Sequence, residues 1–277
     1  MMVTYKVRKE KAHALFPVQR VYAIRLCIVL AICVLAGVLS PFGYHDSWSI
    51  LYQTLGGGVF ATDGSVPSAF AILLCVTPTF IFCYLFSDYL RNSLEHAGAY
   101  VFTRTIKRGN WLRIRLIQLG GFVCAYSFSG GVFVGALLFL QKGMLGDATV
   151  QGWQVVFNFF LPAVTLNMLM LLALLIPVNI LALRLHPLAG FITVMAFYFA
   201  SLLLCASAPH SITANWAPLL PTTQGVFAWH DTVFTQIMFS PGVIEGFSLG
   251  QSYAYLLVLV AFEIVFSVVS IKRIELL

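Results

Sequence analysis

The residues of this chain that could do chemistry are few, and most are cationic. Residues 99–115 read AYVFTRTIKRGNWLRIR and hold Arg104, Lys107, Arg108, Arg113 and Arg115 without one acid. Cations so spaced can set membrane topology, meet anionic lipid headgroups or dock a soluble partner. The one carboxylate inside a long apolar run is Glu263. An ionised group within a membrane is expensive, so such a residue either pairs with a cation or serves transport or proton movement. Pairing with Arg25, or with another basic residue near the same end, is the expectation here.

Other chemistries lack their residues. The histidines (His13, His45, His96, His186, His210 and His230) are scattered, and none sits at metal-ligand spacing from another His, Cys or carboxylate. The cysteines (Cys27, Cys33, Cys75, Cys83, Cys124 and Cys205) all lie in apolar runs, with no CxxC, as small packing residues do. There is no G-x-S-x-G and no H-E-x-x-H. No lysine precedes a serine or threonine, so there is no phosphate-binding P-loop. The chain offers no catalytic, cofactor-binding or metal-binding residue, and any ATP used with it is bound by another chain.

The elements that would position these groups are hydrophobic. Of 277 residues, 60% are hydrophobic and only 9% charged. A soluble domain carries about 25% charged residues, so the composition predicts an all-α integral membrane protein. A bilayer core of about 30 Å needs about 20 apolar residues in a helix. Six segments satisfy this: 21–42, 67–87, 116–140, 155–182, 188–207 and 251–271. The first is too long for a cleaved signal and lacks an A-x-A site, so it reads as a retained helix. The runs are continuous rather than alternating, which excludes a β-barrel. Of the sixteen Lys and Arg, only Lys142 falls outside the side shared by the N-terminal segment, the 88–115 loop, Arg184, Lys272 and Arg273. Positive residues mark the cytoplasmic side, so both termini are expected there. The basic pI then reflects sorting across a membrane, not nucleic-acid binding.

One transmembrane domain, 1–277, is expected. Its parts are a cytoplasmic segment 1–20, the cytoplasmic loop 88–115 and an external segment 208–250. The last is rich in aromatics and prolines and suggests short helices at the outer interface. A tight turn is expected around Leu183–Pro187. Gly131 and Gly135 form a GxxxG in the third span, where small residues let helices approach closely, within the chain or between chains.

Within 88–108, Leu90, Leu94, Ala97 and Val101 fall on one helical face, with Arg91, Asn92 and Glu95 toward the other. Gly109-Asn110 predicts a break, and Trp111 an interfacial anchor where the third span begins. Headgroup contact, about 1 kcal/mol for each Lys or Arg, accounts for the charges. It does not account for an ordered amphipathic helix carrying Glu95 and His96. A docking helix accounts for both. Its exposed candidates are Arg91, Glu95, Tyr100, Phe102, Arg104, Lys107 and Arg108. Aromatic and Arg residues dominate interface energetics, so Phe102 and Arg104 lead.

These features resemble the membrane subunit of an ABC-2 type exporter. The resemblance spans the whole architecture: a basic N-terminal segment, Lys6–Arg20, like the family's elbow helix; six spans; a cytoplasmic 2–3 loop like its coupling helix; and a long external 5–6 segment. Locally, SDYLRNSLEHAGAYVFTRTIKRGNWLRIRL is similar to small Gram-positive ABC-2 permeases of peptide-antibiotic export or self-immunity systems. Phe102-Thr103-Arg104, Lys107-Arg108 and Trp111 carry that likeness. It implies a permease in a bacterial plasma membrane that exports a peptide or amphipathic compound. Its partners would be two ATPase subunits, which bind ATP and magnesium, and a second permease subunit, identical or homologous. Two other classes remain open on the residues alone. One is a secondary transporter or channel using Glu263, Asn158, Asn167 and Asn179. The other is a non-transporting membrane sensor or assembly factor.

Overall fold

The computed structural model describes residues 20–32, 69–102, 108–145, 160–207, 215–233, 235–236 and 243–271. Side-chain surroundings are described for these residues except 69–75, 96–102, 133–145 and 206–207. The described chain is helical, with no strand in it. In order come α1 (20–32), α2 (Ala69–Leu85), α3 (Tyr89–Phe102), α4 (Arg108–Leu145), α5 (Leu161–Arg184), α6 (Pro187–Ser207) and α7 (Leu249–Ile271). Two 3-10 turns, Ala217–Leu219 and Phe227–Trp229, lie between α6 and α7.

Three of these helices, α5, α6 and α7, are long and apolar enough to cross a membrane. They fall on the expected spans 155–182, 188–207 and 251–271. The expected spans 67–87 and 116–140 fall on α2 and within α4. Only the start of 21–42 is described, as α1. The N-terminal segment 1–19 and the loop 43–66 lie outside the described residues.

The central helix is α5, which packs on α2, α3, α4, α6 and α7. Its sequence, LPAVTLNMLMLLALLIPVNILALR, is apolar all round, and a helix of that kind is stable only when surrounded. Leu166, Leu171, Leu175, Val178 and Asn179 are accordingly buried on several sides of it. The other spans bury one face only. On α7, Leu257, Val258, Phe262, Val265, Phe266 and Val269 point outward. So large an apolar exterior is rare in water and matches a hydrocarbon surround.

The α5–α6 hairpin turns at Leu185–His186. Pro187 suits the first helical position, where a missing N–H is harmless. Close approach continues along the hairpin. A Cβ on Gly190 would lie 2.8 Å from the Val178 carbonyl oxygen and 2.9 Å from the Ala182 nitrogen. A Cβ on Gly131 of α4 would lie 2.7 Å from the Phe160 ring and 2.9 Å from Val164. Gly131 is thus a seat for the start of α5. The surroundings of Gly135 lie outside the described residues.

Where α1, α2 and α4 meet, the core is aromatic. Phe82 stacks on Phe86 and Tyr126 at centroid distances of 4.7 and 4.6 Å, and Tyr22 meets Tyr89 edge-on at 4.8 Å. Trp111 is buried as well, so it packs into the bundle rather than standing at its outer surface as an anchor. The expected break at Gly109-Asn110 is absent: both residues lie in the first turn of α4. The first N–H groups of a helix have no intrahelical partner in any case, so weak helix formers are tolerated there.

Among its described residues the 215–247 segment holds short helical pieces: 215–216, 233 and 235–236 are α-helical, and Ala217–Leu219 and Phe227–Trp229 are 3-10 turns, with Pro218 and Pro221 removing donors at close intervals. It is held by a buried polar chain. Gln224 donates to the carbonyls of Pro218 (2.9 Å), Ala217 and Leu220, and its Oε1 lies 2.6 Å from the Ser252 hydroxyl. Ser252 lies 2.7 Å from His230 Nε2, and His230 Nδ1 faces the carbonyls of Val226 (3.0 Å) and Phe227 (3.2 Å). Phe247 covers the imidazole at 4.4 Å.

The proton count in this chain matters. Only an Nδ1–H can bond the two carbonyls. With the ring neutral, the single Ser252 proton serves either His230 Nε2 or Gln224 Oε1. Desolvation disfavours the cation and lowers the His230 pKa from 6.5 to about 4, although the two carbonyls oppose this. Between those values the unfolded chain holds a proton that the folded one lacks. The segment is therefore fully stabilised above about pH 6.5 and loses up to about 3 kcal/mol as pH falls toward 4. Hydrogen exchange at residues 215–233, corrected for intrinsic rates, should accelerate on acidification. The acceleration should be lost in His230→Asn; a variant that keeps the same pH profile would remove His230 as its source.

Candidate functional site

The α2–α3 junction collects polar side chains from four helices. The turn at 86–88 follows α2, and Leu90, the second residue of α3, begins with an amide that has no helical acceptor of its own. Asn179, fully buried in α5, supplies the acceptor: its Oδ1 takes the Leu90 N–H at 3.0 Å. Its Nδ2 donates at 3.0 Å to the carbonyl of Phe86, and at 3.0 Å to that of Leu175. One amide thus fastens the end of α2 and the start of α3 to the central helix.

Asp88 makes the second fastening. Arg25 of α1 grips it through both guanidinium nitrogens, at 2.5 and 3.1 Å, and also donates to the Leu85 carbonyl at 2.7 Å. Tyr22 donates to Asp88 at 3.0 Å, and Asn92 at 2.9 Å. Such a two-pronged Arg–carboxylate pair fixes direction as well as distance. The third fastening joins α3 to α4: the Tyr89 hydroxyl and Arg115 both donate to Gln118 Oε1, at 2.9 and 2.8 Å. Burial raises the Tyr89 pKa, so the phenol stays a donor at neutral pH.

The amphipathic helix expected over 88–108 is α3, Tyr89–Phe102. Leu90 and Ser93 are buried against the bundle, Leu94 packs beside them, and Glu95 is exposed. Arg91 and Glu95 pair along the helix at 2.9 Å, and Arg91 also reaches the Leu185 carbonyl at 3.4 Å. Tyr100 and Phe102 fall in the last turns of α3, where surroundings are not described, and Arg104 and Lys107 lie outside the described residues. Arg108 opens α4 and is half-buried. Of the seven candidate docking residues, the described geometry brings together Arg91 and Glu95.

No family model, curated protein or solved structure matches the chain. Any functional reading therefore stands on the geometry and on the sequence resemblance alone.

Glu263 makes no described contact with Arg25, which is engaged by Asp88. Its Oε2 is buried with no hydrogen-bond partner among the described residues. Sequence gives charge and depth but not azimuth, and Arg25 is taken by Asp88 at the α2 end; Lys272 and Arg273, the basic residues just after α7, lie outside the described residues. Asn179, one of the polar residues set aside for a carrier, has both amide hydrogens and its oxygen engaged by backbone groups. Asn158 lies outside the described residues. Sequence reasoning did not single out Tyr22, Asp88, Tyr89 or Gln118. An asparagine in the middle of an apolar span was the one legible signal.

Proposed function

We propose that the chain is the permease subunit of an ATP-driven exporter of ABC-2 type. In this reading α1, α2 and α4 join α5, α6 and α7 as six spans, with both termini in the cytoplasm of a bacterial cell. A separate ATPase pair docks on α3 and the basic segment after it, and a second permease subunit completes the substrate path for a peptide or amphipathic compound. The observation that carries the reading is the threefold fastening of α3. A helix tied by Asn179, Asp88 and Tyr89 to three membrane helices cannot move without moving them. A push on its far end is therefore delivered to the bundle, which is what coupling to a soluble motor requires.

The test is to change Arg104, Lys107 and Arg108 to Gln, singly and together, and Phe102 to Ala. Docking expects normal membrane insertion, loss of ATPase co-purification, and Phe102→Ala as harmful as any charge loss. An ATPase that stays bound, with effects that follow charge count only, would reduce the segment to a membrane anchor. A second reading, a proton-coupled carrier, draws on the unpartnered Glu263 oxygen. It separates from the first at the energy source: its transport stops when the proton gradient collapses and in Glu263→Gln, with ATP present throughout.

A further inference from the structure

A polar cleft of about 640 Å³ opens beside the α2–α3 junction, between α1, α3 and the α5–α6 turn. Arg25, Asp88, Arg91, Glu95 and His186 line it. An apolar groove of about 390 Å³ shares Tyr84 and Leu85 with the cleft and leads away from it between Ile28, Ile32, Phe80 and Phe191. From Arg25 to Ile32 the groove follows seven residues of α1, about 10 Å along the helix axis. A charged mouth continuous with an outward-open greasy channel has the shape of one amphiphile lying along the protein wall.

The charges decide which amphiphile. Two guanidiniums and two carboxylates leave the mouth without net charge. Asp88 is already filled by Arg25, Tyr22 and Asn92. Arg25 uses three of its five N–H donors and Arg91 two, so both keep donors for an anionic oxygen. His186 accepts the Leu188 N–H on Nδ1 at 3.3 Å, which leaves Nε2–H as a further donor. On the other side, the more exposed Glu95 has one oxygen paired with Arg91 and a second that can accept from an ammonium. We propose that the cleft and groove bind a zwitterionic, amine-bearing glycerophospholipid such as phosphatidylethanolamine. Its phosphate lies on Arg25, Arg91 and His186, its ammonium on Glu95, and one acyl chain in the groove. The binding is independent of what powers transport.

The full chain, reconstituted in nanodiscs of equal phosphatidylethanolamine, phosphatidylcholine and phosphatidylglycerol, would be released and weighed by native mass spectrometry. Phosphatidylethanolamine should be retained over each of the others by at least about tenfold. Ile28→Trp fills the groove at an exposed position and should abolish retention, with the thermal midpoint in detergent unchanged. Glu95→Gln should keep a bound lipid but lose the preference for the primary amine. Equal retention of all three lipids overturns the proposal, as does retention indifferent to Ile28→Trp. A co-purifying peptide in place of lipid would assign the cleft to a different ligand and overturn it as well.

Discussion

Replacing Asn179 with leucine is expected to release α3 from the bundle and to cost about 3 kcal/mol of stability. Leucine keeps the heavy-atom count and the branch at Cγ but is bulkier, so lost hydrogen bonds and overpacking act together at this buried position. The Leu90 N–H, held at 3.0 Å by Asn179, is left in an apolar surround with no acceptor. The Phe86 carbonyl keeps only the 3.3 Å bond from the Tyr89 amide. Each bare buried group costs about 1–3 kcal/mol. Asn179→Asp should be worse: it preserves an acceptor for Leu90 but sets a carboxylate against the carbonyls of Phe86 and Leu175. Denaturation in micelles gives the stability, and reaction of a cysteine at Ser93, buried in the native fold, reports whether α3 has lifted. A leucine variant with native stability and an unreactive Ser93→Cys would mean that Asp88 and Tyr89 suffice to hold the helix.

Gly190→Ala should open the α5–α6 hairpin. The added methyl would meet two backbone atoms, the Val178 oxygen and the Ala182 nitrogen, below any normal contact distance. Backbone cannot rotate aside as a side chain does, so the helices must separate along a seam that buries Val178 and Ala182. Overpacking of this kind costs about 1–3 kcal/mol, and Gly190→Val should exceed it. Gly121→Ala is the control, since nothing lies within 4 Å of its Cβ position. Equal midpoints for Gly190→Ala and Gly121→Ala would show that the hairpin has slack.

Hydropathy and periodicity located the helices because both follow from local sequence. The described part of the run at 155–182 and the runs at 188–207 and 251–271 are helical, and Leu90 and Leu94 do face inward. Helix ends were less legible. α4 begins at Arg108, well before the apolar run at 116, because Arg and Leu are good helix formers whatever their hydropathy. The junction itself could not be read. Asn179 meets Leu90 across 89 residues of sequence, and Asp88 meets Arg25 across 63. Nothing local distinguishes an asparagine that pins a turn from one that lines a pathway. Trp111 illustrates the same limit: its type suits an interface, but the bundle has room for it inside.

The length of α4 sets how the molecule meets membranes of different thickness. Its 38 residues extend about 57 Å, against a hydrocarbon core of about 30 Å. At the tilts usual for membrane helices, up to about 40°, a spanning helix of this length overshoots the core, and Arg108 and Arg113 at its beginning suit the headgroup layer. The 17 residues of α2 extend about 26 Å, a little less than the core. If both cross the membrane as proposed, in a thicker, sterol-like bilayer α4 would only lose overhang, whereas α2 would be stretched past its match and pull on the junction it shares with α3. In the proposed six-span arrangement, hydrophobic mismatch would then act through α2, the shorter of these two helices, at the Asp88 and Asn179 fastenings, and bilayer thickness would become a force on the junction.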